Sequence, residues 1–302
     1  MSMLAISWLS VLAPLVGAVL AGFGGKILGR RGAHCVTISG VFVAFCAAIY
    51  VAMGVFGHGT MLDVNAYTWA SAPAPFAYAF HLGLLIDPLT AVMMVTVTFV
   101  SLLVHIYSIG YMTDDPGYQR FFSYISLFTF MMLMLVTANG FLQLFFGWEG
   151  VGLVSYLLIG FWFEKESALQ GSLKAFLVNR VGDFGFILGI GLVLMYVGSL
   201  DYATVFAHAG ALSDKTIHIW GDQSWPVVTV ISILLFIGAM GKSAQVPLHV
   251  WLPESMEGPT PISALIHAAT MVTAGVFMVA RISPLVEYSE TALSFILVTG
   301  AT

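Results

Sequence analysis

The chain has 302 residues, of which 59% are hydrophobic and 8% charged, with a net charge of −5 and a mean hydropathy of +0.97. Ordinary soluble domains carry about a quarter charged residues, so this composition excludes a soluble globular protein and requires a lipid bilayer as its solvent. An acidic chain without a basic patch to meet phosphates also has no nucleic acid among its expected partners.

Apolar runs recur at about 3–24, 35–57, 83–109, 121–138, 141–162, 173–199, 226–240, 261–283 and 291–302. A helix needs about 20 apolar residues to cross hydrocarbon. The pattern predicts an all-α polytopic membrane protein with about nine transmembrane helices. The last run reaches Thr302 within twelve residues and has no polar tail, which leads us to expect a piece of a longer protein.

In the first run, Lys26, Arg30 and Arg31 follow the apolar core instead of preceding it, which is not the order of a cleavable signal peptide. Of the ten Lys and Arg residues, seven (Lys26, Arg30, Arg31, Arg120, Lys165, Lys174 and Arg180) fall in or beside the first, third and fifth loops. By the positive-inside rule those loops are cytoplasmic and the N-terminus is outside.

The loop 58–82, rich in Ala, Pro and aromatics, reads as an ordered external cap. Asp87 followed by Pro88 has the order of a helix N-cap and first helical position. The stretch TDDPGYQR at 113–120 is a turn by its Pro and Gly. Cys35 and Cys46 lie eleven residues apart on one expected helix, too far to bridge, and two cysteines cannot hold an iron–sulfur cluster. Neither a cofactor nor a metal is expected in this chain. The glycines of 182–191 sit within a span, where small residues serve helix packing. Residues 201–209 read as a short helix along the membrane surface.

Residues 238–262 carry Lys242 and four prolines inside apolar surroundings. A helix cannot pass undisturbed through Pro247 and Pro253, so this span is expected to break one to two turns beyond Lys242. Irregular backbone at membrane depth is tolerated beside protein or water, and broken helices mark ion pathways in transporters.

Charges inside spans need a reason, since each costs roughly 2.5–3.5 kcal/mol on insertion scales. Glu149 is the single charge from Gly140 to Phe163, central in its helix. Lys242 closes the apolar run before the break. Arg180 and Asp183 sit three apart on one helical face. His267 is flanked by Ser263, Thr270 and Thr273 at hydrogen-bonding offsets. Each has a plainer reading: Arg180 with Asp183 as a self-neutralising anchor, His267 as a satisfied core histidine, Glu149 with Lys242 as a static buried pair. Against these stands their number, because several spans each offering a titratable group make a path. Arg120, Lys165, Glu164 and Glu166 read as solvated loop charges. Burial disfavours the ionised form of a group and a nearby opposite charge restores it. Moving a partner charge by a few ångströms therefore decides whether a buried lysine keeps its proton, a role that suits lysine better than arginine.

Three stretches, GYQRFFSYISLFTFMMLMLVTANGFLQLFFGWEGVGLVSYLLIGFW, KAFLVNRVGDFGF and GKSAQVPLHVWLPESMEGPTPISALIHAATMVTAG, closely resemble the antiporter-like membrane subunits of respiratory complex I, in particular the L-type or mitochondrial chain-5-like subunit. The resemblance covers essentially the whole chain. It implies that Glu149 is the carboxylate of the fifth helix, Lys242 the lysine of the broken seventh, Asp183 the acid that modulates them and His267 a relay in the eighth. It also implies a fold of two inverted five-helix repeats, of which this chain carries the first. The expected divisions are 1–112 for helices 1–3 with the external loop, 113–283 for the first repeat, helices 4–8, and 284–302 for the start of a ninth helix. Glu254 stands where many relatives carry Asp, a change that keeps the charge. The implied function is proton translocation coupled to electron transfer elsewhere in an NADH:quinone oxidoreductase of the bacterial cell membrane, with other membrane subunits, lipid and protons as partners. An Mrp-type cation/proton antiporter subunit shares these motifs, and a non-conducting scaffold is the remaining alternative.

Overall fold

The computed structural model describes residues 2–72, 78–220 and 223–302, with the side chains of residues 220, 268 and 269 excepted. Seven stretches among them are helical, apolar and long enough to cross a membrane: α1 (Met3–Phe23), α2 (Gly25–His58), α3 (Pro88–Tyr111), α4 (Tyr118–Val136), α5 (Phe141–Ile159), α6 (Glu166–Val197) and Thr260–Arg281. The seventh and ninth expected spans are shorter apolar helices, Val227–Lys242 and Glu290–Ala301. The membrane-helical class expected from the sequence is what is found; seven helices reach spanning length among the described residues, and the two shorter ones stand where a broken seventh span and the start of a ninth were expected.

Two antiparallel hairpins interrupt the helices. β1 (Leu62–Ser71) pairs with β2 (Ala79–Ile86), and β3 (Thr216–Trp220) with β4 (Gln223–Pro226). The expected cap at 58–82 is thus largely a β-hairpin, with residues 73–77 outside the described residues. Because β2 runs to Ile86, the third span begins at Pro88 and not near residue 83. The short helices α7 (Tyr202–Ala207) and α8 (Ala209–Ser213) replace the expected surface helix, and their apolar side chains Tyr202, Val205 and Leu212 are buried against the protein instead of lying in lipid.

Chain direction alternates through the helices. The N-terminus, both hairpins, α7 and α8 therefore share one side, and the turns at 24, 112–117 and 160–165 share the other. On that second side lie Lys26, Arg30, Arg31, Arg120 and Lys165. The structure corrects two readings of these cations. Arg180 is not at a loop edge: it lies fourteen residues into α6, about 21 Å along it. Arg120 is not a solvated charge, since its guanidinium donates to the Phe161 carbonyl at 3.1 Å and covers the Phe161 ring at 4.6 Å. The 113–120 turn forms as expected, with Gly117 N–H donating to Asp115 Oδ1 at 2.6 Å.

Close helix approach is made by small residues. At Gly147 of α5, a Cβ would stand 2.7 Å from the α4 backbone at Leu135, and at Gly182 of α6 it would stand 3.1 Å from Gly241 of the next long helix. Without a hydrophobic drive between helices in lipid, such contact supplies dispersion energy. In the same way Gly182, Gly185 and Gly189 bear out the packing role expected of 182–191.

That next helix, α9 (Val227–Lys242), stops at Lys242 itself, nearer the charge than the sequence suggested. Beyond it come 3-10 turns at Leu248–Trp251 and Glu254–Glu257, then α10 (Thr260–Ser263), a π-helical segment Ala264–Thr270 and α11 (Met271–Arg281). The chain closes with α12 (Ser283–Val286) and α13 (Glu290–Ala301).

Asp87 caps α3 as expected, accepting from Thr90 N–H at 2.8 Å, but it also forms a two-pronged ion pair with Arg281 at the end of α11. Arg281 further donates to Thr90 Oγ1 at 2.7 Å and is 7% exposed. Burial alone would raise the Asp87 carboxyl, but the bonds from Arg281 and the Thr90 backbone outweigh it and hold the group below the usual carboxylate value. A lowered folded-state value means that the pair's contribution is complete above the ordinary carboxylate pKa and fades as pH falls through the folded one. Asp87→Asn leaves the Arg281 charge buried without a counterion. It is expected to cost about 3–5 kcal/mol and to flatten the acid limb of the pH–stability profile, read as thermal unfolding of the purified protein in detergent.

Candidate functional site

Three helices meet around one buried lysine. α5 presents Trp148 and Glu149, α6 presents Arg180 and Asp183 from one face, and α9 ends on Lys242. Lys242 is 1% exposed and Asp183 4%. Lys242 Nζ stands 3.5 Å from Asp183 Oδ2, and Arg180 Nη1 stands 3.6 Å from the same oxygen. Arg180 is closest to Glu149, with which it forms an ion pair. The four charges therefore run Lys242, Asp183, Arg180, Glu149, alternating in sign and summing to zero.

This order corrects the expected pairing. Asp183, not Glu149, contacts Lys242, and Glu149 communicates with the lysine through Arg180 and Asp183. Arg180 and Asp183 are not a closed pair either, since each has a second partner on another helix. Exposure falls along the row, from side-chain values of 33% and 25% at Arg180 and Glu149 to 5% and 1% at Asp183 and Lys242.

Two neighbours that the sequence reading missed shape the buried end. Trp148, fully buried, donates its indole N–H to Asp183 Oδ1 at 2.7 Å and places its ring 5.9 Å from Lys242 Nζ. The carboxylate thus has one oxygen held by a neutral donor and the other facing two cations. At Gly152, one turn beyond Trp148 on α5, a Cβ would come within 2.5 Å of Lys242 Nζ, so the missing side chain is the space the ammonium occupies. The W-E-x-x-G spacing carries this signal: residues 148 and 152 share a helical face.

Past Lys242 the backbone is held by side chains. Trp251 Nε1–H donates to the Gly241 carbonyl at 2.9 Å, and Ser243 Oγ donates to the Val272 carbonyl of α11 at 2.6 Å. His267 lies in the π-helical segment. Its Nε2 is 3.0 Å from Ser255 Oγ, and its Nδ1 is buried without a hydrogen-bond partner. Of the three expected neighbours, Ser263, Thr270 and Thr273, none is that partner, and Thr270 and Thr273 bond instead to the Leu265 and Thr270 carbonyls. Glu254, from the same break, is paired with Lys174 of α6. No group of three or more His, Cys, Asp or Glu side chains is placed to hold a metal among the described residues.

A broken span, a lysine at the break and a charge row drawn from adjacent helices define a membrane protein of antiporter-like fold. Solved structures share it: the Mrp complex of Dietzia superposes over 98% of this chain and 30% of that chain with a TM-score of 0.80 at 23% identity. An archaeal membrane-bound sulfane sulfur reductase covers 98% of this chain and 56% of that chain with a TM-score of 0.82 at 20% identity.

Residues 138–302 match the family described as NADH:quinone oxidoreductase/Mrp antiporter, transmembrane, and residues 74–122 match the N-terminus of chain 5 of the NADH-ubiquinone oxidoreductase, complex I. The chain belongs to the NADH:quinone oxidoreductase/Mrp antiporter family. It is 61% identical over 293 residues to NADH-quinone oxidoreductase subunit L of Neisseria meningitidis, covering 96% of this chain and 43% of that one. To NADH-ubiquinone oxidoreductase chain 5 of Marchantia polymorpha it is 51% identical over 301 residues, 97% of this chain and 44% of the relative. The chain thus spans less than half the length of these relatives.

Two substitutions test the geometry. Trp148→Phe keeps the ring but removes the donor to a buried carboxylate oxygen, and is expected to cost about 1–3 kcal/mol, read as a lowered thermal midpoint. Gly152→Ala puts a methyl where the ammonium sits. Strain of about 1–3 kcal/mol is expected, together with a changed Lys242 environment seen by ¹⁵N NMR of labelled lysine.

Proposed function

We propose that this chain is the N-terminal part of a proton-translocating subunit of an NADH:quinone oxidoreductase, working with other membrane subunits while electron transfer occurs elsewhere in the complex. The observation that carries the reading is the shared Asp183 Oδ2, which faces Lys242 at 3.5 Å and Arg180 at 3.6 Å. One carboxylate oxygen between two cations makes the lysine's proton answer to the position of the arginine. With Glu149 ionised, Arg180 is drawn toward it and Asp183 serves Lys242. Once Glu149 takes a proton, Arg180 turns to Asp183, and Lys242 loses its counter-charge and releases its own proton. His267, held by Ser255 across the break, receives it with the free Nδ1 and passes it toward parts of the protein beyond this chain.

The family model covers both kinds of protein, and the 61% and 51% identity to complex I subunits, against 23% to the Mrp complex, supports this assignment over the Mrp-type alternative. In this reading residues 113–283 form the first five-helix repeat, behind helices 1–3 in 1–112, and 284–302 open the next. A bacterial cell membrane is the proposed location, and the cations gathered on the side of the turns at 24, 112–117 and 160–165 support an orientation with the N-terminus outside.

In the full-length protein within its complex, Glu149→Gln and Lys242→Ala are expected to leave assembly intact and abolish most NADH-driven proton uptake in membrane vesicles, with or without sodium. His267→Ala is expected to do so partially. Full pumping by the Lys242 variant would overturn the relay, failed assembly would favour a scaffold, and a sodium requirement would favour the cation antiporter.

A further inference from the structure

The side that carries the basic turns holds a cleft of about 1060 Å³ between the end of α1, the start of α4 and the α5–α6 turn. Three cations line it, each from a different connection: Lys26 at the start of α2, Arg120 in the first turn of α4 and Lys165 ahead of α6. Among the described residues none of the three has a carboxylate within ion-pair distance, whereas Lys174, Arg180, Lys242 and Arg281 all do. Lys165 Nζ sits 4.2 Å over the Trp162 ring, and Arg120, stacked between Phe161 and Phe163, keeps a buried Nε without a partner.

Two acids also reach the cleft, but Asp115 is engaged: its oxygens accept from Gly117 N–H and, at 2.8 Å, from Trp162 Nε1–H. Glu164 is an exposed rim charge. Below the cations the walls turn apolar, with Val19 and Phe23 of α1 facing Tyr124 and Leu127 of α4. Phe23 is 91% exposed, so this wall is open on its outer side.

We propose that this cleft binds an anionic glycerophospholipid of the cytoplasmic leaflet. The phosphate sits among Lys26, Arg120 and Lys165, and an acyl chain runs between Phe23 and Leu127. Guanidinium and ammonium donors match phosphate oxygens, and the Trp162 indole beside them suits the headgroup level. A free phosphate would use the cations and leave the apolar floor bare, whereas a phospholipid covers both. Basic pockets between helices on the cytoplasmic side are where such headgroups bind. The inference uses the orientation given above and does not depend on proton translocation.

The test uses the full-length protein in its assembled, delipidated complex, titrated with phosphatidylglycerol or phosphatidylcholine in detergent and followed by native mass spectrometry. Phosphatidylglycerol is expected to bind about tenfold more tightly, and Lys26→Gln with Lys165→Gln to remove that preference. Lys215→Gln, on the opposite side, is expected to leave it. Both substituted lysines are exposed, so folding is not at stake. Equal binding of the two lipids, or a preference unchanged in the double variant, would overturn the proposal. So would displacement of phosphatidylglycerol by inorganic phosphate alone, which would mean a site for a free anion.

Discussion

A helix that stops inside a membrane leaves its last carbonyls without partners in a medium that has no water to supply them. α9 stops at Lys242, and the rest of the site depends on how that end is satisfied. Trp251 returns from the following turn to cap the Gly241 carbonyl, Gln245 N–H closes on Met240, and Ser243 reaches across to α11. The cost of breaking the helix is met by side chains that simultaneously hold the lysine at the junction. Pro247 and Pro253 keep the chain from resuming an α-helix, and the 3-10 turns that follow each of them bring Ser255 to His267.

Held in this way, the lysine enters an electrostatic arrangement that is neutral as a whole and uneven in its parts. Each cation has an acid beside it, so the row as a whole avoids the cost of an unpaired buried charge. Its central oxygen nevertheless serves two cations at nearly equal distance, and neither contact is complete. The indole of Trp148 fixes the Asp183 carboxylate, so movement in the row falls to the longer side chains, Arg180 and Lys242. Arg180 is the more exposed of the two and also lies over the Phe176 ring at 4.5 Å, a surface on which a guanidinium can slide.

The two sides of the protein are built differently. On the side of the N-terminus, the Asp87 and Arg281 pair joins α3 to α11, and hairpins cover the helix ends. On the other side the turns are short, the helices that enter and leave them carry Lys26, Arg30, Arg31 and Arg120, and the α1–α4 cleft opens there. One side is locked by a buried ion pair, whereas on the other Lys26, Arg120 and Lys165 have no carboxylate partner among the described residues.

The sequence by itself determined the membrane class, most of the spans, the break, and the residues that carry charge into the spans, because all of these follow from composition and local pattern. A lone Glu149 among apolar residues, the Arg180 and Asp183 spacing, and prolines after Lys242 are visible in one dimension. The sequence also carried the resemblance that the family match bears out. Partnership was not legible there. Only the tertiary structure decided that Lys242 faces Asp183 and not Glu149, that Arg180 bridges the two acids, and that Arg281 joins Asp87 across 194 residues. It likewise decided that Gly152 is empty because an ammonium fills its place. Hydrophobic periodicity fixes which residues lie in a span, whereas the rotation and depth of one helix against the next come from packing at Gly147 and Gly182, contacts that no local pattern encodes.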